Sequence, residues 1–91
     1  MYVWVLDTFQ RDDEFCEHDS NIVAIYSEEH FEKAMKHFKT LCDRNILDHD
    51  EDEECENSRW KDEEGFHFSS SFEGYNGFKM NYVGLKKMEV Q

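Results

Sequence analysis

The chain has 91 residues, the length of one small domain, and carries 22 Asp and Glu against 10 Lys and Arg. Its net charge of −12 argues against direct binding of DNA or RNA, because phosphates require a basic surface. No apolar run approaches the roughly 20 residues of a membrane span, and no signal peptide is recognised. Three irregularly spaced cysteines argue against a disulfide framework and indicate a cytoplasmic protein.

Two apolar runs near the start of the chain predict a β-hairpin. Residues 2–9 are rich in β-branched and aromatic side chains on both faces, which is typical of a strand inside a sheet. Residues 22–26 predict the second strand of the pair. The polar stretch between them contains five carboxylates, so an acidic loop is expected over about residues 10–21.

A helix is predicted over residues 28–43. Ser27 is a typical N-cap residue, and two glutamates follow it in the first turn, where carboxylates suit the helix dipole. Apolar residues then recur at helical spacing and form one stripe that should pack on the sheet. The stripe consists of Phe31, Ala34, Met35, Phe38, Leu41 and Cys42.

Residues 48–56 hold seven carboxylates in nine positions, which predicts a second solvated acidic loop over about residues 48–58. Asp48, Asp50 and Asp52 match the first ligand positions of a calcium loop. Glu53 then stands where that loop needs glycine, and Arg59 stands where it needs a bidentate glutamate. A zinc site built from Cys16, His18, His49 and Cys55 matches none of the usual ligand spacings. We therefore expect no metal site and no cofactor.

The last third of the chain predicts a second hairpin. Phe66, Phe68 and Phe72 alternate on one strand, and Phe78, Met80 and Tyr82 alternate on the next. A two-residue Asn76-Gly77 turn would put these two apolar rows on opposite faces of the sheet. A loop of three or five residues instead puts Phe72 opposite Phe78, with Gly77 at a positive φ, and this register is our prediction.

The expected fold is therefore one α+β domain over residues 1–91, with about four antiparallel strands and one helix on one face of the sheet. The expected order along the chain is β-β-α-β-β. No phosphate-binding loop, nucleophile elbow or nucleophile–base motif is present, so the protein is expected not to be an enzyme.

The excess of negative charge, about one per eight residues, is larger than the solubility of a small domain requires. A field of this size steers basic partners toward the protein. The opening residues 2–6, the strand-to-helix junction at residues 22–29 and the carboxylate runs at 12–19 and 48–56 resemble small acidic inhibitors encoded by bacteriophages. The resemblance is to anti-restriction and anti-CRISPR proteins that mimic DNA, and it implies a binding protein that blocks a basic nucleic-acid channel.

The leading hypothesis is a cytoplasmic, non-enzymatic inhibitor that occupies the basic surface of a nucleic-acid-handling protein, such as a host-defence nuclease. Its carboxylates would stand in for phosphates, and aromatic residues near them, Phe15 and Trp60, would anchor the contact. The alternatives are a regulatory domain whose acidic loop binds a divalent cation, an enzyme subunit with an unrecognised site, and an acidic surface with no partner. The predicted partner-binding residues are Asp12, Asp13, Glu14, Glu17, Asp19, Asp48, Asp50, Glu51, Asp52, Glu53, Glu54, Glu56 and Trp60.

Overall fold

The computed structural model describes residues 1–47, 55–74 and 77–90. They form one antiparallel sheet of five strands with a single α-helix on one face, and the strand order is β2-β1-β5-β4-β3. No helix in these ranges is both long and apolar enough to cross a membrane. The elements are β1 (Tyr2–Asp12), β2 (Glu17–Ser27), a 3-10 turn (Glu28–His30), α1 (Phe31–Arg44), β3 (Cys55–Lys61), β4 (Gly65–Gly74) and β5 (Gly77–Glu89).

The core lies between α1 and the face of the sheet beneath it, which we call the helix-covered face. The predicted stripe supplies the helical side, with Ala34, Phe38 and Cys42 buried. Burial also raises the pKa of the Cys42 thiol to about 11. The sheet supplies Leu6, Phe68, Val83 and Leu85, each at most 2% exposed. The amphipathic helix therefore packs on the sheet as its periodicity predicts.

The start of the predicted helix differs in detail from the expectation. Residues 28–30 form a 3-10 turn before the α-helix begins at Phe31. Ser27 holds the N-cap position of that turn, but its hydroxyl contacts the side chains of Glu29 and His30 and caps no backbone amide. The end of the helix, at Arg44, agrees with the prediction to within one residue.

The first hairpin is longer than expected. β1 runs on to Asp12 and β2 already begins at Glu17, so most of the predicted acidic loop over residues 10–21 is paired strand. β1 also pairs with β5 along its whole length, and this confirms its predicted position inside the sheet. One bulge interrupts the β1–β2 ladder at Val23, which has no partner on β1.

The sheet has five strands where about four were expected, and the order along the chain is β-β-α-β-β-β. The additional strand is β3, which pairs with β4 from Cys55 to Lys61 and overlaps the end of the predicted loop over residues 48–58. Six of its seven residues are exposed, so it lacks the apolar alternation that marks a half-buried strand.

The predicted register of the second hairpin is wrong by one residue. Phe72 pairs with Lys79 and Phe68 pairs with Val83, where Phe78 and Tyr82 were expected. The apolar row of β4 therefore faces the helix, while Phe78, Met80 and Tyr82 lie on the opposite face of the sheet, which we call the open face. The physical reason is that β5 contributes Val83 and Leu85 to the core. The positive φ predicted for Gly77 is confirmed, at 128°.

Candidate functional site

We call residues 12–19 and 48–56 the first and second acidic segments. Three carboxylates of the first acidic segment lie at the tip of the first hairpin, where basic side chains partly neutralise them. The Arg11 guanidinium donates two hydrogen bonds to Asp13, at 2.8 and 3.1 Å, and this hydrogen bonding holds the pKa of Asp13 below its ordinary value. The Lys79 ammonium lies 3.8 Å from a carboxylate oxygen of Asp12 and 3.5 Å from one of Glu14. These three acids are thus partly committed to intramolecular ion pairs.

Glu17 and Asp19 are different, because neither has a Lys or Arg partner within the described ranges. Both are exposed, and both line a cavity of about 220 Å³ together with Asp12, Leu47 and the basic Arg11 and Lys79. Leu47 is the last described residue before the second acidic segment. The first acidic segment and the point where the second one begins therefore meet at one end of the sheet, which we call the acidic end.

Hydrogen bonds to the sheet hold the chain at Leu47, just before the second acidic segment, and at Cys55, near its end. The amide of Leu47 donates to the Ser70 hydroxyl at 2.9 Å, and the thiol of Cys55 lies 3.6 Å from the same oxygen. The side-chain amide of Asn81 also donates to the carbonyl of Asn45 at 3.0 Å. The fully buried Ser70 thus contacts the chain at both Leu47 and Cys55.

The remaining predicted site residues are distributed as follows. Asp48, Asp50, Glu51, Asp52, Glu53 and Glu54 lie outside the described residues, as does His49 of the rejected zinc set. Glu56 is exposed in β3. Phe15 is 64% exposed at the hairpin tip, beside the first acidic segment. Trp60 lies five residues along β3 from Cys55, roughly 16 Å away in an extended strand, and packs on the open face.

The open face carries a hydrogen-bonded set that the sequence pattern does not show, and it begins at His67. This side chain is only 4% exposed, and its Nε2 lies 2.7 Å from a carboxylate oxygen of Asp62. The bond from His67, supported by the amides of Gly65 and Glu64, lowers the pKa of Asp62, so the carboxylate is ionised and can only accept. Nε2 therefore carries a proton.

Tyr82 continues this set from the neighbouring strand. Its hydroxyl lies 2.6 Å from His67 Nδ1 and donates to it when the ring is neutral. Burial raises the pKa of Tyr82, which keeps the phenol protonated at neutral pH. The indole of Trp60 stacks on the imidazole, with ring centroids 5.1 Å apart and planes 11° apart. The Trp60 indole thus covers the imidazole of His67, and both ring nitrogens have hydrogen-bond partners.

Lys86 and Asp7 complete the set, and Gly84 makes room for it. Burial alone would lower the pKa of Lys86, but Tyr82 and Asp7 raise it above its ordinary value. The Lys86 ammonium donates to Asp7 Oδ2 at 3.2 Å. A Cβ on Gly84 would lie 2.5 Å from Asp7 Oδ1 and 2.6 Å from the Tyr82 hydroxyl, so glycine leaves this space to the polar groups. We call Asp7, Asp62, His67, Tyr82 and Lys86 the polar network.

The polar network overlaps a group of possible metal ligands. One ligand atom each from Asp62, Glu64 and His67 lies within 4.8 Å of the others. His67 Nε2 is bonded to Asp62 in the structure, so a cation would have to displace that proton before it could bind the ring nitrogen. The observed arrangement is that of a structural hydrogen-bond network, because every ring nitrogen of His67 has a partner.

The polar network could not be recognised from the sequence, because its members are far apart along the chain and come together only through strand pairing. The one available signal was Gly84 between apolar residues of a strand, which marks a close approach of neighbouring groups. No family model, curated protein or solved structure matches this chain. The function is therefore inferred from its own residues.

Proposed function

We propose that the protein is a non-enzymatic acidic inhibitor that binds the basic, nucleic-acid-binding surface of a nucleic-acid-handling protein. A host-defence nuclease, such as a CRISPR effector or a restriction enzyme, is the class of partner that this chemistry fits. The inhibitor would compete with nucleic acid because its carboxylates engage the Lys and Arg side chains that otherwise bind phosphates.

The distribution of charge supports this proposal. Residues 12–19 and 48–56 contain five and seven carboxylates and no Lys or Arg, which leaves ten acidic and ten basic residues in the rest of the chain. The whole net charge of −12 therefore belongs to two short segments. A surface that served solubility alone would need neither this magnitude nor this concentration.

The single observation that carries the proposal is the acidic end. Leu47, the residue immediately before the second segment, lines the same cavity as Asp12, Glu17 and Asp19 of the first segment. Two segments that are separated by the helix in sequence thus start from a common place on the sheet. Charges concentrated in this way produce a directed field, which speeds association with a basic partner and orients it. Phe15 supplies an exposed aromatic group beside these charges.

A competition assay with a matched charge control tests the proposal. A fluorescein-labelled DNA duplex is bound to each of a panel of purified restriction endonucleases and CRISPR effectors, and its displacement by the protein is followed by anisotropy. The test variant replaces acids of both segments, and the control removes the same number of charges elsewhere. The test substitutions are Glu17→Gln, Asp19→Asn, Asp50→Asn and Asp52→Asn, and the control substitutions are Glu32→Gln, Glu63→Gln, Glu73→Gln and Glu89→Gln, at exposed residues outside both segments and away from β2.

We expect the wild type to displace DNA from at least one partner, with association that slows steeply as salt is raised from 0.01 to 0.15 M. The test variant should associate about tenfold more slowly or worse, while the control variant stays within about threefold of the wild type. Equal losses in the two variants would show that net charge alone matters, and a panel in which no enzyme releases DNA would contradict the proposal.

A further inference from the structure

Strand β2 forms one edge of the sheet, and no strand of the described residues pairs with its outer side. It pairs with β1 alone among the described strands, and it is 11 residues long. Unpaired backbone N–H and C=O groups at a sheet edge are a template for the addition of another strand.

The side chains of β2 do not protect this edge. Ile22, Val23 and Ile25 are 67%, 42% and 61% exposed, and residues 20–27 contain no charged residue and no proline. The opposite edge differs, because β3 has only seven residues and its exposed Arg59 and Lys61 are charged. Natural sheets protect their edges with short strands and charged side chains. β3 follows that pattern, and β2 does not.

Residues 22–26 of β2 form an apolar strip, and acidic residues flank it at both ends. Glu17 and Asp19 precede it, Glu28 and Glu29 follow it, and all four are exposed. Eight residues lie between Asp19 and Glu28, so these two positions are roughly 30 Å apart in extended chain. A segment that is complementary to the strip is therefore extended and apolar in its centre and carries Lys or Arg at both ends.

We infer that the outer edge of β2 is a docking site for such a segment of the partner, which adds to the sheet as a sixth strand. This inference rests on the proposed function and names how the basic partner is held. Main-chain hydrogen bonds and the contacts of Ile22 and Ile25 supply affinity, and the flanking carboxylates select basic ends.

The same charges argue against a second copy of this chain as the occupant. An antiparallel pairing that places Ile22 of each copy opposite Ile25 of the other also places Asp19 opposite Glu28 at both ends. Like charges directly opposite one another destabilise a strand pair. A strand with basic ends meets opposite charges at the same positions.

The test uses a fluorescein-labelled peptide with the sequence Lys-Lys-Thr-Val-Thr-Val-Thr-Val-Thr-Lys-Lys and measures its binding by anisotropy. We expect Ile22→Ser combined with Ile25→Ser to weaken binding at least about tenfold, since two large apolar side chains are lost from the contact. The control, Ile46→Ser combined with Val90→Ser, removes comparably exposed apolar side chains elsewhere and should bind as the wild type does. A peptide with Glu in place of its four Lys should not bind.

Hydrogen exchange supplies a readout that attraction between charges cannot produce. Bound peptide should slow the exchange of outward-facing amides within residues 20–27 and leave β3 unchanged. Binding that ignores the isoleucine substitutions and protects no β2 amide would overturn the strand-addition inference and leave the proposed function standing. Dimerisation in sedimentation experiments that is abolished by Ile25→Ser would also overturn it, in favour of a second copy. If the peptide binds at β2 but the protein displaces no DNA, the proposed function fails and the docking site stands.

Discussion

On the helix-covered face of the sheet, Phe68, Val83 and Leu85 are shielded from water by apolar contact with α1. On the open face, His67 is almost as deeply buried, although α1 packs on the other side of the sheet. It is enclosed by Trp60 and by hydrogen bonds to Asp62 and Tyr82. Apolar burial stabilises roughly in proportion to area, whereas a buried polar group stabilises only while every partner is present. The two faces should therefore respond differently to substitution and to pH.

The largest effect is expected from the helix-covered face. Phe68→Ala removes a side chain that is 2% exposed and leaves a cavity beneath α1, so unfolding should become easier by about 3–5 kcal/mol. Phe38→Ala, from the helical side of the same contact, should cost a similar amount. The total free energy of unfolding of a small domain is roughly 5–15 kcal/mol, so both variants should unfold at much lower urea concentrations than the wild type.

Phe15→Ala is the matched control, because Phe15 is 64% exposed and its removal should change stability by about 0.5 kcal/mol or less. Urea midpoints for Phe38→Ala and Phe68→Ala that coincide with the wild-type value would contradict the packing of α1 on this face.

A smaller effect is expected from the polar network. Tyr82→Phe keeps the ring but removes the hydroxyl that donates to His67, which leaves a buried ring nitrogen without its partner. The cost should be roughly 1–3 kcal/mol in the free energy of unfolding. Tyr2→Phe is the control, since no hydrogen bond joins the Tyr2 hydroxyl to the described residues, and it should be nearly neutral. Equal stability of the two variants would mean that the network does not stabilise the open face.

The same difference explains which parts of the fold could be predicted from sequence. The stripe from Phe31 to Cys42 has helical periodicity and the two opening runs are rich in strand formers, so α1 and the pairing of the first two strands were predicted. The first turn of the helix and the length of the hairpin differ from the prediction. β3 was missed because neither of its faces has an apolar row. The second hairpin was placed one residue out of register, because apolar rows were paired with each other. Tyr82 in fact belongs to the polar network. The Arg11 guanidinium lies over the Phe78 ring, with Cζ 5.3 Å from the ring centroid.

The candidate site was predictable only where composition marks it. Runs of carboxylates can be read directly, so the two acidic segments were found. The proximity of Leu47, the residue before the second segment, to the first segment depends on the path of the chain after the helix, which is a property of the tertiary structure. The exposed edge at β2 likewise depends on strand order. Apolar residues on both faces of β1 indicated an interior strand, but residues 22–26 are apolar as well, so nothing in their sequence marks β2 as an edge strand.

The smallest expected effect distinguishes the two faces by pH. His67 donates to Asp62 and holds the pKa of this carboxyl below its ordinary value, with help from two backbone amides. A carboxyl whose pKa is lower in the folded state stabilises the fold fully above its unfolded pKa, roughly 3.9, and loses that contribution as pH falls through the folded value. Asp62→Asn removes the ionisation, so the variant should be less stable than the wild type at pH 6 and approach it below pH 4.

Urea titrations at pH 6, 4 and 3 measure this difference, with Glu63→Gln as the adjacent control. The control removes an exposed carboxylate outside the polar network and should follow the wild type at each pH. The loss in free energy of unfolding caused by Phe68→Ala involves no titrating group, so it should stay constant over the same pH range. If the deficit of Asp62→Asn is also constant, the ionised carboxylate contributes nothing to the open face, and hydrogen bonds that a neutral amide can also make hold His67 in place.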